Sequence, residues 1–372
     1  MTTVYSLLKS LNEFKSDVAV SMLSGLDGTV STRGGSSSIG PRVYFYPSQS
    51  LYLLEEKMVR AFNDAEAVYP EDIALYALLR DTFWLNRVDR PEDADYVFAP
   101  IPTTTARFVP KEELALGLAE MPLLGKIPHL LIDSNDAYSR PGYEKGNASR
   151  ESLVDIKREF FSWVNPDFQL LYLDSTFNDH PNDIPILPFC GFERHSPEQT
   201  VRPLLTGFVG TLGVENWPKG NIRGIDRLPD WMAVKEQFDR NAFIGSSMEA
   251  IFTQNGVTVP YRELPRRART WLCPRGFSAY TYRISEAVLS GAMPWILADD
   301  YRLPFASRID WEQFTLRSAE SKLGSVHSEY FRMTSTIEKK IQALAGFQEC
   351  FTPQGLARLT LLELKETALR EK

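Results

Sequence analysis

At 372 residues the chain is long enough for about two domains with substantial cores, which excludes a peptide hormone or a single small binding module. Its 43% apolar, 24% charged and 12% aromatic residues describe a packed globular protein and exclude wholesale disorder, collagen and a coiled-coil rod. With 41 Lys+Arg against 48 Asp+Glu the net charge is −7, which argues against a surface that coats nucleic acid but leaves room for a local basic pocket.

Taken in chain order, residues 4–23 carry helical spacing in Val4, Leu7, Leu8, Leu11 and Phe14, and a Gly/Ser/Thr-rich stretch from Ser24 to Gly40 follows. This predicts a short amphipathic helix on a flexible tether over 1–40, which either docks on a partner or membrane surface or packs on its own domain. No run approaches the ~18 apolar residues of a membrane span, and charges interrupt the N-terminal apolar pattern. The expectation is a cytoplasmic protein without a transmembrane segment, with peripheral attachment at the cytoplasmic membrane face left open. In that setting the sequon Asn147-Ala148-Ser149 is a loop coincidence, and Cys190, Cys273 and Cys350 are free or buried thiols.

From Pro41 short apolar runs alternate with helical ones. Strands are predicted at 43–46, 96–99, 129–132, 170–173 and 184–187, with helices at 51–64, 71–83, 111–120 and 151–163 between them. Such alternation implies a parallel, doubly wound sheet. A second series has strands at 206–209, 242–244, 270–273 and 294–297, a helix at 280–291, and a long helical tail over 332–370 broken near Pro353. The Pro-rich, polar stretch from His180 to Pro203 separates the two series. The expected organisation is an N-terminal Rossmann-like domain over 41–200, a second over 201–347 and a C-terminal helix over 348–372. Ligands would bind in a cleft beyond the carboxyl ends of the strands.

The chemistry concentrates in Thr270–Phe314, TWLCPRGFSAYTYRISEAVLSGAMPWILADDYRLPFASRIDWEQF. It reads as a buried strand, a Pro-Arg-Gly turn, a helix opening near Ser278, a glycine stop at Gly291 and another buried strand. Gly276 at a helix start offers backbone N–H groups, Arg275 and Arg283 add two guanidinium forks, and Glu286 can accept hydrogen bonds from a ribose or sugar diol. That set suits a nucleoside diphosphate. The alternative is an ion pair between Arg283 and Glu286, three residues apart, with Gly276 merely making a turn.

The order PRG, an Arg ahead of EA, a small-residue turn, PW, LPF and then DW resembles the signature of the exostosin-like glycosyltransferases over about forty-five residues. VYFYP at 43–47, PEDADYVFAP at 91–100 and LTGFVGTL at 205–212 extend the resemblance from Pro41 to about Phe347. It implies an α/β enzyme with two facing Rossmann-like domains, the GT-B arrangement. It also implies an inverting glycosyltransferase that moves a hexosyl or pentosyl group from a nucleotide-diphosphate sugar, UDP-linked in the family's commonest form, to a hydroxyl of a glycan or glycolipid acceptor in surface polysaccharide biosynthesis. Gly210, Arg275, Gly276, Arg283 and Glu286 match donor-site positions, and Asp300 and Trp311 match positions read as structural or at the cleft edge. The alternative is a non-catalytic glycan- or nucleotide-binding subunit on the same fold.

Inversion needs a base for the acceptor hydroxyl and stabilisation of the departing diphosphate. HLLIDSNDAYSR at 129–140 resembles the family's element for the base: His129 and Asp136 match, while Pro128 and Asn135 depart from it. Asp136 is preferred as base and Asp133 is the runner-up, against a plain capping role for a strand-end carboxylate. Asp299-Asp300 lacks the Asp-x-Asp spacing of a metal motif, and two arginines already supply compensating charge. Metal-independent transfer with no resident cofactor is therefore expected. Asp179, His180 and Asp183 are read as a solvated group in a Pro-rich loop, and most tryptophans as core, with one or two free to stack on sugar faces.

Overall fold

The computed structural model describes residues 40–64, 70–106, 108–134, 168–173, 183–199, 201–210, 212, 228–245, 251–254, 257–275, 280–299 and 301–370. The expected N-terminal helix and tether over 1–39 and the expected helix at 151–163 lie outside them, as do Asp136, Asp179, His180, Gly276 and Asp300. The chain forms two compact units, one running to Gly191 and resumed from Pro353, the other centred on Phe192–Thr352. The change at Gly191 precedes the boundary expected at 200, and the last helix, expected as a separate piece, belongs to the first unit.

In chain order the first unit contains β1 (Val43–Phe45), α1 (Gln49–Asp64), α2 (Pro70–Trp84), β2 (Arg87–Val88), β3 (Tyr96–Phe98), α3 (Thr103–Ala106), α4 (Lys111–Ala119), β4 (His129–Asp133), β5 (Phe168–Tyr172) and β6 (Ile184–Pro185). Its six strands form one parallel sheet in the order β2-β1-β3-β4-β5-β6. Strands β3, β4 and β5 are buried throughout, which is why they read as continuous apolar runs and not as alternating ones. Helix α1 turns Leu51, Leu54 and Met58 into a core shared with Val97, Leu131 and Leu170. Its outer face carries Arg60 donating to Glu56 one turn back.

The second unit contains β7 (Leu204–Val209), α5 (Leu228–Phe238), β8 (Ala242–Gly245), β9 (Ile251–Gln254), β10 (Val257–Pro260), α6 (Leu264–Arg267), β11 (Ala268–Pro274), α7 (Arg283–Leu289), β12 (Met293–Leu297), β13 (Leu316–Ser318), α8 (Val326–Arg332) and α9 (Thr334–Leu344). Five of its strands make a second parallel sheet, β13-β12-β11-β7-β8, and β9 and β10 pair as an antiparallel hairpin. Trp231, Trp271 and Trp295 are among its fully buried side chains. At ~25 cal/mol per Å² and roughly 200 Å² each, they contribute about 5 kcal/mol apiece as core and have no face left for a sugar.

The last helix, α10 (Pro353–Arg370), packs in the first unit, where Leu361 meets Gly40 and the Tyr96 hydroxyl donates to the Leu364 carbonyl at 3.2 Å. The expected break near Pro353 is present, since Pro353 opens a new helix after a short 3₁₀ turn over Gln348–Phe351.

Two local expectations change. The regular part of the helix expected at 280–291 begins at Arg283, and the opening expected near Ser278 lies outside the described residues. Asp183, read as solvated, is buried and accepts the Leu170 N–H at 3.0 Å, a strand-edge bond that loop composition could not reveal. The glycine stop is as expected: Gly291 has φ +75°, and an added Cβ would stand 2.9 Å from the His195 carbonyl. Among the described residues no helix is long and apolar enough to cross a membrane.

Candidate active site

Because β7, β11 and β12 are parallel, Gly210, Arg275 and Asp299 all leave their strands at one edge of the second sheet. Helix α7 runs back from that edge, which puts its first residue, Arg283, beside them.

Arg283 is held from several directions. Its Nε donates to the Val209 carbonyl at 2.7 Å, and its Nη1 donates to the Thr281 hydroxyl at 3.1 Å. The guanidinium lies over the Phe208 ring, 4.9 Å from its centroid, and Phe208 stacks on Trp231 at 4.0 Å. A Cβ at Gly210 would stand 2.4 Å from Arg283 Nη2 and 2.6 Å from the Phe208 ring. The groups that crowd position 210 in this structure are therefore the arginine head and the Phe208 ring. No carboxylate of the described residues pairs with Arg283.

Arg275 is in a different state. Its side chain is only 1% exposed, and its Nη1 lies 3.5 Å from Oε1 of Glu320, itself 4% exposed. The Glu320 N–H donates to Asp299 Oδ1 at 3.0 Å, and the Asp299 N–H donates to Glu320 Oε1 at 3.4 Å. One carboxylate thus balances the Arg275 charge and ties the ends of β11 and β12 together. Glu286 is buried one turn into α7 and accepts the Tyr261 hydroxyl hydrogen bond. The alternative in which Arg283 and Glu286 pair with each other is not what these side chains do.

At the carboxyl end of β4 in the first unit, Asp133 is buried and accepts the Thr103 hydroxyl at 2.9 Å, and Thr104 and Ser134 share a hydrogen bond beside it. His129 begins β4 at the opposite edge. Its Nδ1–H donates to the Ile127 carbonyl at 2.7 Å and its Nε2 accepts from the Tyr46 hydroxyl at 2.8 Å, while Tyr46 accepts the Leu123 N–H at 3.1 Å. Every proton in that chain has a place with a neutral imidazole, and burial pushes the Tyr46 phenol up to about 12. His129 is a satisfied core histidine.

Trp311 is buried, donates Nε1–H to the Pro304 carbonyl at 2.9 Å and stacks on Phe314, so it supports the turn carrying Leu303-Pro304-Phe305. Burial raises the Cys273 thiol well above its ordinary range, and Cys190 is also buried and in no disulfide. Sequence reasoning missed Phe208, Thr281, Glu320 and Tyr261. Phe208 carried a usable signal, because a period of two puts it on the same face of β7 as Gly210. Glu320 and Tyr261 come to the site from separate elements, and Thr281 stands two residues before Arg283 in the same motif.

The sequence profile of the Exostosin GT47 domain matches residues 37–329. The chain belongs to the exostosin GT47 family of glycosyltransferases. In Arabidopsis thaliana, "Probable beta-1,4-xylosyltransferase IRX10L" is 38% identical over 119 residues, 31% of this chain and 26% of that protein. "Probable beta-1,4-xylosyltransferase IRX10" is 26% identical over 341 residues, 84% of this chain and 76% of it. A "Probable glucuronosyltransferase" of Oryza sativa subsp. japonica is 25% identical over 331 residues, 82% of this chain and 73% of that protein. The exostosin GT47 chain thus spans about a quarter of the first relative's length and about three quarters of the other two. A solved structure, Anabaena HepE in complex with UDP, is a distant likeness at 8% identity and TM-score 0.39, over 89% of this chain and 100% of that one.

Proposed function

We propose that this chain is an inverting glycosyltransferase that moves a sugar from a UDP-linked donor to a hydroxyl of a glycan acceptor, at the cytoplasmic side of surface polysaccharide or glycan biosynthesis. The observation that carries the reading is Arg283: a guanidinium fixed at a sheet's carboxyl edge, against a bare glycine and with no carboxylate partner among the described residues. A diphosphate is the anion that such a fork suits.

In this reading Gly210, Arg275, Gly276 and Arg283 form the diphosphate side of the donor site and Glu286 accepts from the ribose or sugar diol. Arg283 contacts the departing diphosphate directly. Arg275, neutralised by Glu320, contributes less net charge and more to the shape of the turn. Asp136 is the base for the acceptor hydroxyl, and Asp133 the runner-up; the burial of Asp133 and its bond to Thr103 suit a residue that holds the loop ahead of Asp136. The arginines stabilise the leaving group without a divalent ion.

A thermal-shift panel of nucleoside diphosphates and nucleotide sugars, followed by transfer assays with and without a chelator, tests this. Uridine diphosphate should stabilise the protein, and chelation should leave transfer unchanged. Arg283→Ala should weaken donor binding by about ten- to a hundredfold, the equivalent of one charge-assisted hydrogen bond, with the melting temperature held. Asp136→Asn should keep nucleotide binding and suppress transfer. Absence of any nucleotide stabilisation would turn the reading to a glycan-binding subunit.

A further inference from the structure

We infer that Thr281 is a positioning residue for the donor site: its hydroxyl holds the Arg283 guanidinium in the plane in which it can fork onto a phosphate. The inference rests on the donor-site reading above and adds a residue to it.

Of the five N–H donors of a guanidinium, Val209 and Thr281 engage one each, which leaves three. The Val209 carbonyl fixes Nε, and the Phe208 ring supports the guanidinium over its face at 4.9 Å. One hydrogen bond at Nε still permits the group to tilt about the Nε–H···O axis. The second, from Nη1 to the buried Thr281 hydroxyl at 3.1 Å, removes that freedom and keeps Nη2 against Gly210. The same hydroxyl accepts the Arg283 backbone N–H at 3.4 Å, so it places the first residue of α7 as well as its head group. A side chain with four rotatable bonds is thereby ordered before the donor arrives, and the ordering cost is met in folding and not in binding.

The test is a double-mutant cycle on uridine diphosphate affinity by calorimetry, with donor KM and kcat in the transfer assay. Thr281→Val, close in shape but without the acceptor, should weaken uridine diphosphate binding about tenfold and raise donor KM, with acceptor KM unchanged. Thr281→Ser should restore wild-type affinity to within about twofold, since the hydroxyl alone is needed. In an Arg283→Ala background, Thr281→Val should cost nothing further, because its effect passes through the arginine. A wild-type affinity for Thr281→Val, or an equal loss with and without Arg283, overturns the inference and leaves the donor site standing. Wild-type binding by Arg283→Ala overturns the donor-site reading itself. If Thr281→Val does not fold, Thr281→Ala read in the same cycle decides the same question.

Discussion

Gly210 shows how one missing methyl group can serve a charged neighbour. Its amide donates to the Gly245 carbonyl at 3.1 Å, so the backbone is fixed and cannot retreat from Arg283. Gly210→Ala should therefore push the arginine off Val209 and Phe208 and not shift the strand. We expect donor affinity to fall by about tenfold or more, with a melting temperature lowered by only a few degrees, as for a loss of about 1 kcal/mol. Calorimetric titration with uridine diphosphate beside a thermal melt separates the two effects. A large loss of stability at unchanged affinity would place the glycine's importance in the fold alone.

Among the elements, α1 and α2 are joined by a polar clamp inside the first unit. Arg80 donates to both carboxylate oxygens of Glu55, at 3.0 and 3.3 Å, and the Tyr76 hydroxyl donates to the same carboxylate at 2.6 Å. Both charged side chains are 4% exposed. Removing Glu55 leaves Arg80 the Asp81 carboxylate, 3.2 Å from its Nη1, so Glu55→Ala should cost about 3 kcal/mol, the low end for breaking a buried pair. Denaturant titration checks this, and a cost below about 1 kcal/mol would mean that water reaches Arg80 in the variant.

Elements were legible in the sequence in proportion to how completely they are buried. Strands such as β4, β5 and β11 announce themselves because a parallel sheet covered on both faces needs an unbroken apolar run. The strands missed are those without such a run: β2 has two residues, and Leu316-Arg317-Ser318 in β13 lies at a sheet edge. The hairpin β9–β10 flanks Asn255-Gly256, a turn pair that pattern reading could have used. Arg275, Gly276, Arg283 and Glu286 could be singled out together because they lie in one motif, and Gly210 because it lies in a second. Of the residues that hold them, Tyr261 and Glu320 arrive from other elements and only folding makes them neighbours, while Phe208 sits in the stretch that carries Gly210. Thr281 was overlooked for a different reason, since a hydroxyl two residues before an arginine carries no sequence signature of its bond.

For the whole molecule, the composition arithmetic of two domains becomes two parallel sheets, each with its own core. Of the two arginines expected to offset the acidic balance locally, Arg275 has a carboxylate neighbour and Arg283 has none among the described residues. The long-range closure of the first unit by α10 yields a further prediction. A chain ending at Thr352 should lose stability in the first unit and not in the second, because Leu361 meets Gly40 and the Leu364 carbonyl accepts from Tyr96 there. Calorimetry should show one transition lowered and one held. Both moving together would mean that the two units unfold as one.

That closure also sets an order of events during synthesis. The strands of the first sheet leave the ribosome early, while the helix that covers part of them follows only after the whole of Phe192–Thr352. At translation rates of 5–20 residues per second the delay is on the order of ten to thirty seconds. For that interval the nascent chain carries apolar surface awaiting Leu356, Leu361 and Leu364, and the second unit can finish folding before the first.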